Sequence, residues 1–218
     1  LRNMRRGGWR TAQEHMRSLT NGRCRFYAEA LEENSHYAGA NLRLDRTSFQ
    51  YFHYDWPGEC RTRTERSAEQ DVVLYIPLAG GFTAQQRART VDVKTGDILV
   101  VGTAGEIRRT WLGRCELLNV VLPLEALNRL LVTEYGVDTH QAIQFEPLTL
   151  IDSDRVPTLM KFIESIVRDA VTATPVFADP IAARPAQATL LHILLRSLPH
   201  NHRDRVCSER NAIAPYYV

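Results

Sequence analysis

The spacing of the hydrophobic residues changes at Pro123, and this change constrains the fold more than any other feature of the sequence. Before Pro123, apolar and aromatic residues occur in short runs that are separated by Gly, Pro and charged residues. Such runs are typical of short β-strands joined by tight turns. After Pro123, leucines and isoleucines recur every three or four residues, which is the spacing of amphipathic helices. The sequence therefore predicts a β-rich first part and a helical second part.

The runs of the first part predict an antiparallel sandwich or barrel. "FQYFHY" (49–54) is followed by the turn signal "WPGE", and "DVVLYIPLAGG" (71–81) closes on two glycines that predict a hairpin turn. "RTVDVKTGDILVVG" predicts two strands around a turn at residues 95–97. "EIRRTW" and "CELLNVVLP", separated by "LGR", predict two more. Because these connections are too short to contain helices, neighbouring strands are expected to run antiparallel.

Three helices are predicted after the strands. The first starts at Pro123, which suits a first turn, and ends at Gly136, which suits a C-cap. The second covers "VPTLMKFIESIVRDAV", with Asp152 or Ser153 as its cap. The third covers "AQATLLHILLRSLP", and a loop containing Pro175 and Pro180 joins it to the second as an antiparallel hairpin. The predicted fold class is α+β.

Charge and cysteine usage narrow the classes of function. The net charge is +2, which gives no argument for nucleic-acid binding by this part of the protein. The four cysteines are far apart and include no C-x-x-C pair, so they are expected to be reduced thiols. The sequence shows neither an apolar run of membrane-span length nor the apolar stretch of a signal peptide. A cytoplasmic location without membrane contact is predicted.

Alternation along the predicted strands suggests a ligand pocket. Ile107, Arg109 and Trp111 share one face of a strand, since side chains alternate with a period of two. A wall of aromatic residues with one arginine suits a small carboxylate or an aromatic acid. The candidate ligand-binding residues are Tyr51, His53, Tyr75, Arg109 and Trp111. The alternative is that the aromatic residues form the core and the arginine is solvated.

The sequence predicts no metal, no cofactor and no catalytic residues. His53 and Asp55 with Glu59 come nearest to a metal-binding pattern, but Pro57 and Gly58 place Glu59 in a predicted turn. There is no second histidine in a predicted strand. The sequence contains no G-x-S-x-G, Walker or dinucleotide-binding motif, so an enzyme is not predicted.

Three segments in this order resemble the N-terminal domain of AraC/XylS-type transcription regulators: "DVVLYIPLAGG", "VDVKTGDILVVGTAGEIRRTW" and "LLNVVLPLEALNRLL". The resemblance implies a cupin-like barrel (jelly roll) that binds a small-molecule effector under an N-terminal arm. It also implies a C-terminal helical hairpin that forms a homodimer. The sequence departs from the family at Thr95 and Gly102, where the family usually has proline.

The resemblance also implies a division of the chain. Residues 1–122 would form the arm and the effector-binding barrel, 123–199 the dimerisation region, and 200–218 a linker. The polar stretch after Pro199, followed by "APYYV", resembles the entry into the family's helix-turn-helix DNA-binding domain, so operator DNA would be bound only by the full-length protein. The alternatives are a small metal-dependent cupin enzyme and a dimerisation scaffold without a ligand.

Overall fold

The fold is an antiparallel β-barrel with helices packed against it. The computed structural model describes residues 4–20, 23–27, 35–66, 71–102, 105–138 and 141–208, so the part of the predicted linker beyond residue 208 lies outside the described residues. Ten strands occur in this part of the chain: β1 (Arg5–Gly7), β2 (Cys24–Tyr27), β3 (His36–Leu44), β4 (Thr47–Arg66), β5 (Val72–Ala79), β6 (Gly81–Gln86), β7 (Arg89–Lys94), β8 (Asp97–Val101), β9 (Gly105–Leu122) and β10 (Thr149–Asp152). The helices are α1 (Trp9–Leu19), α2 (Leu124–Tyr135), α3 (Pro157–Asp169), α4 (Pro180–Ser197) and α5 (Arg203–Ser208). The predicted α+β class is confirmed.

The long strands β4 and β9 pair along almost their whole length and form the spine of the barrel. Other strands add to the two edges of this pair, in the order β1-β3-β4-β9-β5-β8-β10, with β2 on β4 and β6 on β9. The prediction that "WPGE" is a turn is wrong. The pairing shifts between Asp55 and Glu59, so these residues form a β-bulge and β4 continues beyond them.

The bulge has a physical cause on each strand. Trp56 is buried and its ring lies 5.4 Å from that of Tyr54, so the extra residues are held by an aromatic side chain that points into the barrel. On β9, Gly113 has φ +65°, a conformation that favours glycine. The "LGR" segment, predicted to separate two strands, therefore bends one continuous strand.

Gly80 and Gly81 form a kink, and the prediction of a hairpin turn there is wrong. β5 and β6 do not pair with each other; both pair with β9, through Ala79 opposite Glu116 and Phe82 opposite Trp111. A Cβ atom on Gly80 would collide with the carbonyl oxygen of Arg114. The close approach of two backbones explains why glycine is needed at this position.

The barrel separates two hydrophobic cores. One fills its interior and contains Phe52, Tyr54 and Trp111. The other lies between the outer face of the sheet and the C-terminal helices, and contains Leu74 and Leu190. Because β5 is covered on both faces, its residues 72–77 are all buried, which explains the continuous apolar run in the sequence.

The helices follow the sequence pattern with differences at their ends. α2 starts directly after Pro123 and ends at Gly136, whose φ is +57°, as predicted. α4 starts at Pro180, a residue that the sequence assigned to a loop, because the Asp179 side chain accepts a hydrogen bond from the Ile181 N–H and caps the helix. None of the helices in the described part of the chain is both long and apolar enough to cross a membrane.

Helices α1 and α5 and strand β10 were not predicted. Most of α1 is polar, but Ala12, His15 and Met16 are buried along one side of it. α5 lies within the segment predicted as linker, 200–218, and its Val206 is fully buried. The first nine residues of that segment therefore pack against the domain.

Gln187 joins the helical region to the barrel. This buried side chain of α4 accepts hydrogen bonds from the backbone N–H groups of Arg46 and Thr47, both at 2.8 Å. It also donates to Asp45, whose φ of +51° belongs to the tight turn between β3 and β4. One amide group therefore satisfies two buried backbone donors and fixes the turn against α4.

We expect Gln187→Met to reduce the free energy of unfolding by about 2 kcal/mol, because two N–H groups lose their acceptor while the side-chain volume is kept. The measurement is equilibrium unfolding in urea. Arg184→Met, at an exposed position of the same helix, is the control. Equal stabilities of the two variants would contradict this role of Gln187.

Candidate functional site

A cavity of about 80 Å³ lies inside the barrel beneath α1. Met16 and Leu19 of α1 form one side of it, and the strands β4, β5 and β9 form most of the rest. Thr20, Arg23 and Asp71, which lie outside these elements, complete the lining. The polar side chains that the strands contribute are Gln50, Thr64, Tyr75, Arg109 and Asn119. A cavity with an apolar cover and a few polar groups that point into it has the composition of a small-molecule site.

Arg109 is the central charged group of this cavity. Its side chain is buried, with 3% of the residue exposed. One terminal nitrogen donates to the Tyr75 hydroxyl at 2.8 Å, and the other donates to the Thr64 hydroxyl and lies 3.9 Å from the Cys24 sulfur. The guanidinium carbon lies 5.2 Å from the centroid of the Tyr75 ring. None of these partners is a carboxylate.

No carboxylate among the described residues forms an ion pair with Arg109, and its Nε atom has no hydrogen-bond partner. A guanidinium is charged at any pH that a protein normally meets. A buried charge without a counter-ion costs free energy, because the lost hydration is not replaced by an opposite charge. The site is therefore ready to receive an anion.

Asn119 provides a second unsatisfied group in the same cavity. Its Oδ1 atom is buried and has no hydrogen-bond partner in the described part of the chain. Asn119 lies between Gln50 of β4 and Tyr75 of β5 in the strand register, so all three project from one face of the sheet. An asparagine in the apolar run "LLNVVL" is a signal that sequence reasoning missed, since buried amides need partners.

Helix α1 is held over the cavity by buried contacts. His15 Nδ1 lies 2.5 Å from the Tyr37 hydroxyl, and the His15 ring packs edge-on against Tyr37 and Phe52. A Cβ atom on Gly39 would collide with the Tyr37 hydroxyl, so glycine makes room for this pair. Burial lowers the pKa of His15, and the nearby Arg5 charge lowers it further. Neutral His15 is therefore the form that fits beneath α1.

Tyr75, Arg109 and Trp111 all project into the barrel interior, as the alternation predicted. Trp111 does not line the cavity. It packs against Phe82, with ring centroids 4.4 Å apart, and donates from Nε1 to the Thr62 hydroxyl at 3.2 Å. Trp111 therefore belongs to the packed part of the interior, and Tyr75 and Arg109 line the cavity.

The structure does not bring Tyr51 and His53 to this cavity. Both lie on the outer face of β4, where the Tyr51 hydroxyl donates to Glu116 at 3.4 Å and His53 Nδ1 lies 3.4 Å from Glu116. The inward-facing residues of β4 are Gln50, Phe52 and Tyr54. A shift of one residue in a strand changes the face, so choosing the other set of alternate residues moved both side chains to the wrong side.

The described residues contain no cluster of three or more His, Cys, Asp or Glu side chains that could hold a metal ion. Of the residues considered as ligands, His53 pairs with Glu116 on the outer face, and Glu59 pairs with Arg61 beyond the bulge.

We expect the free energy of unfolding to decrease as the pH falls below about 6.5, because the pKa of His15 is lowered in the folded state from its ordinary value of 6.5. The unfolded chain then binds a proton more readily than the folded chain does. The contribution of neutral His15 to the free energy of unfolding is complete above pH 6.5 and is lost as the pH falls through the lowered pKa of the folded state. Melting temperatures at pH 7.5, 6.5 and 5.5 measure the effect.

His15→Gln should lose less stability than the wild type over this pH range. His200, whose pKa is also lowered by burial, contributes equally to both proteins. Equal pH dependence in the two proteins would show that His15 does not titrate as its burial requires.

Comparison with known proteins agrees with this architecture. The family model of the AraC-binding-like domain matches residues 29–196. The crystal structure of the AraC-like transcriptional activator CuxR superposes with a TM-score of 0.59 at 10% identity, over 90% of this chain and 72% of that chain. A search of curated proteins finds no significant match.

Smaller barrels match only part of the chain. A putative ethanolamine utilization protein Q from Salmonella typhimurium matches 40% of this chain and 69% of that chain, with 13% identity and a TM-score of 0.34. A cupin superfamily protein from Desulfitobacterium hafniense matches 44% of this chain and 83% of that chain, with 22% identity and a TM-score of 0.34. The barrel with its helices is accordingly a cupin-like fold of the type seen in the CuxR structure.

Proposed function

The chain belongs to the AraC-binding-like domain family, and on that premise we propose that it is the effector-sensing and dimerisation domain of a bacterial AraC/XylS-type transcription regulator. Its role is sensory and not catalytic. The observation that supports this most strongly is the cavity beneath α1, in which the buried Arg109 has no counter-ion among the residues that the structure describes. We propose that a small carboxylate or aromatic acid binds there, with Arg109 and Tyr75 as its main contacts. Tyr51 and His53 lie outside this proposed site.

A ligand in the cavity could influence the helices through the shared sheet. Tyr75 of β5 contacts Arg109 inside the barrel. Its neighbours Leu74 and Ile76 point outward and belong to the core that contains Leu190 and Leu194 of α4. A ligand shifts an equilibrium between two arrangements when it binds them with different affinities. A movement of β5 on ligand binding would therefore reach α4 through the hydrophobic core that both elements share.

The proposed role assigns a part of the regulator to each region of the chain. Residues 1–122 would supply the arm, which includes α1, and the effector-binding barrel. Residues 123–199 would supply the dimerisation region, and the stretch after α5 would lead to a helix-turn-helix domain that binds operator DNA in the full-length protein. We place such a regulator in the cytoplasm.

The residues exposed at the junction of α3 and α4 support dimerisation through the hairpin. Val171, Val176 and Ile181 are 59%, 62% and 84% exposed. They follow one another closely along the chain, at the end of α3, in the connecting turn and at the start of α4. Neighbouring exposed apolar residues often form contacts between subunits. We propose that this end of the hairpin lies in the dimer interface.

We expect Arg109→Met to abolish effector binding. Binding is measured as the thermal shift produced by a library of small organic acids and aromatic compounds, since a ligand of the folded state raises the melting temperature. Arg108→Met is the matched control, because Arg108 is the next residue of β9 but is exposed on the outer face. A hit that shifts Arg109→Met as much as the wild type would contradict the Arg109 site. A complete lack of hits would favour the ligand-free scaffold.

We expect the double variant Val176→Asp/Ile181→Asp to weaken the dimer at least tenfold, because two carboxylates would be buried at the interface without partners. Sedimentation equilibrium measures the dissociation constant. Leu78→Asp, at an exposed apolar residue of β5, is the control. A wild-type protein that remains monomeric at high micromolar concentration would overturn dimerisation through the hairpin.

A further inference from the structure

We propose that the effector is a small hydroxy acid whose carboxylate binds Arg109 and whose hydroxyl group binds Asn119. This inference rests on the proposed effector-sensing function and specifies the chemistry of the ligand. It depends on two buried atoms without partners, Arg109 Nε and Asn119 Oδ1, which belong to residues that line the same cavity. A ligand that satisfies both atoms needs an anionic acceptor and a hydrogen-bond donor in one small molecule.

The charge of Arg109 determines the first group of the ligand, the carboxylate. The Tyr75 and Thr64 hydroxyls accept hydrogen bonds from the terminal nitrogens, but these neutral groups leave the positive charge uncompensated. The Nε atom is buried and has no hydrogen-bond partner among the described residues, and a carboxylate that reaches it forms a charge-assisted hydrogen bond, which is about twice as strong as a neutral one. A neutral ligand such as a diol would leave the buried charge unpaired.

The amide of Asn119 determines the second group of the ligand, the hydroxyl group. Asn119 is 4% exposed, so bulk water does not reach its oxygen freely. A hydroxyl group can donate to the amide oxygen and can also accept from the amide nitrogen. A hydroxyl group can therefore form a hydrogen bond with the Asn119 side chain in either orientation of the amide. A methyl group forms none, and a second carboxylate can only accept one.

The net charge in the cavity favours a hydroxyl group over an ammonium group as the donor. One carboxylate balances Arg109, and an ammonium group would then add a second positive charge to the cavity. Arg23 and Asp71 also line the cavity, and their opposite charges leave the net charge of the lining equal to that of Arg109. Arg23 is half-buried and Asp71 is exposed to solvent, where a charge contributes less than in the interior. The expected ligand is therefore a hydroxy acid with a net charge of −1.

The volume limits the size of the ligand. The cavity is about 80 Å³, whereas an apolar protein cavity that binds benzene has a volume of about 150 Å³. A ligand smaller than benzene, with roughly five non-hydrogen atoms at most, fits without a movement of α1. Glycolate meets the requirements of charge, donor and size.

The experiment is isothermal titration of the 218-residue chain with four matched probes: glycolate, acetate, ethylene glycol and glycine. Glycolate should bind at least tenfold more tightly than acetate, which lacks the hydroxyl group. Ethylene glycol, which lacks the carboxylate, should not bind, and glycine should bind more weakly than glycolate. These comparisons use only the wild-type protein, so they do not depend on the folding of a variant.

A variant then assigns the hydroxyl contact. In Asn119→Leu, glycolate and acetate should bind with equal affinity, because the group that distinguishes them is gone. Asn41→Leu, at an exposed position of β3, should keep the tenfold preference. A preference that survives in Asn119→Leu would overturn the assignment of Asn119.

The outcomes separate this inference from the proposed function. Equal binding of acetate and glycolate by the wild type, or tighter binding of glycine, would overturn the hydroxy-acid assignment but keep an acid-binding site. If none of the four probes binds while another compound gives a thermal shift that depends on Arg109, the hydroxy-acid class is wrong and the sensing function stands. If no compound gives a shift, both are wrong.

Discussion

The pairing of β4 with β9 is the constraint on which the rest of the structure depends. These two strands form the middle of the sheet, and every other described strand joins this pair directly or through one or two intervening strands. Because the pairing continues past the bulge between Asp55 and Glu59, one pair of strands serves both halves of the barrel. The bulge and Gly113 provide the bend that closes a sheet around an interior. Without it, Thr64 and Arg109 would not lie on the same cavity as Asn119.

The buried charge of Arg109 lowers the stability of the barrel interior, and the folding of this domain does not require it. An apolar side chain at position 109 would fill the space without a buried charge, and the remainder of the interior is packed with aromatic and aliphatic groups. Residues that oppose stability in this way often serve binding or catalysis, because the ligand supplies the missing interaction. The absence of a counter-ion at Arg109 among the described residues is therefore more informative than its burial alone.

The two cores make the sheet a shared wall between the cavity and the helices. Tyr75 faces the cavity, while Leu74 and Ile76, its neighbours in the chain, belong to the core between the sheet and the helices. At the turn between β3 and β4, Gln187 fixes the same helix through hydrogen bonds to the backbone. A closely packed interface of this kind transmits displacements, because its side chains cannot be compressed independently.

The sequence alone determined the class of the fold, the change from strands to helices at Pro123, and the strand face that Arg109 and Trp111 share, because these follow from local periodicity. Only the tertiary structure decided that "WPGE" is a bulge, that Gly80 marks a kink, and that Tyr51 and His53 face outward. Each of these depends on which residue of a distant strand lies opposite, and a shift of one residue reverses the face. The cavity required the same information, since α1 closes it through a few buried residues on a mostly polar helix. Local patterns determine what a segment becomes, whereas long-range pairing determines which side chains meet.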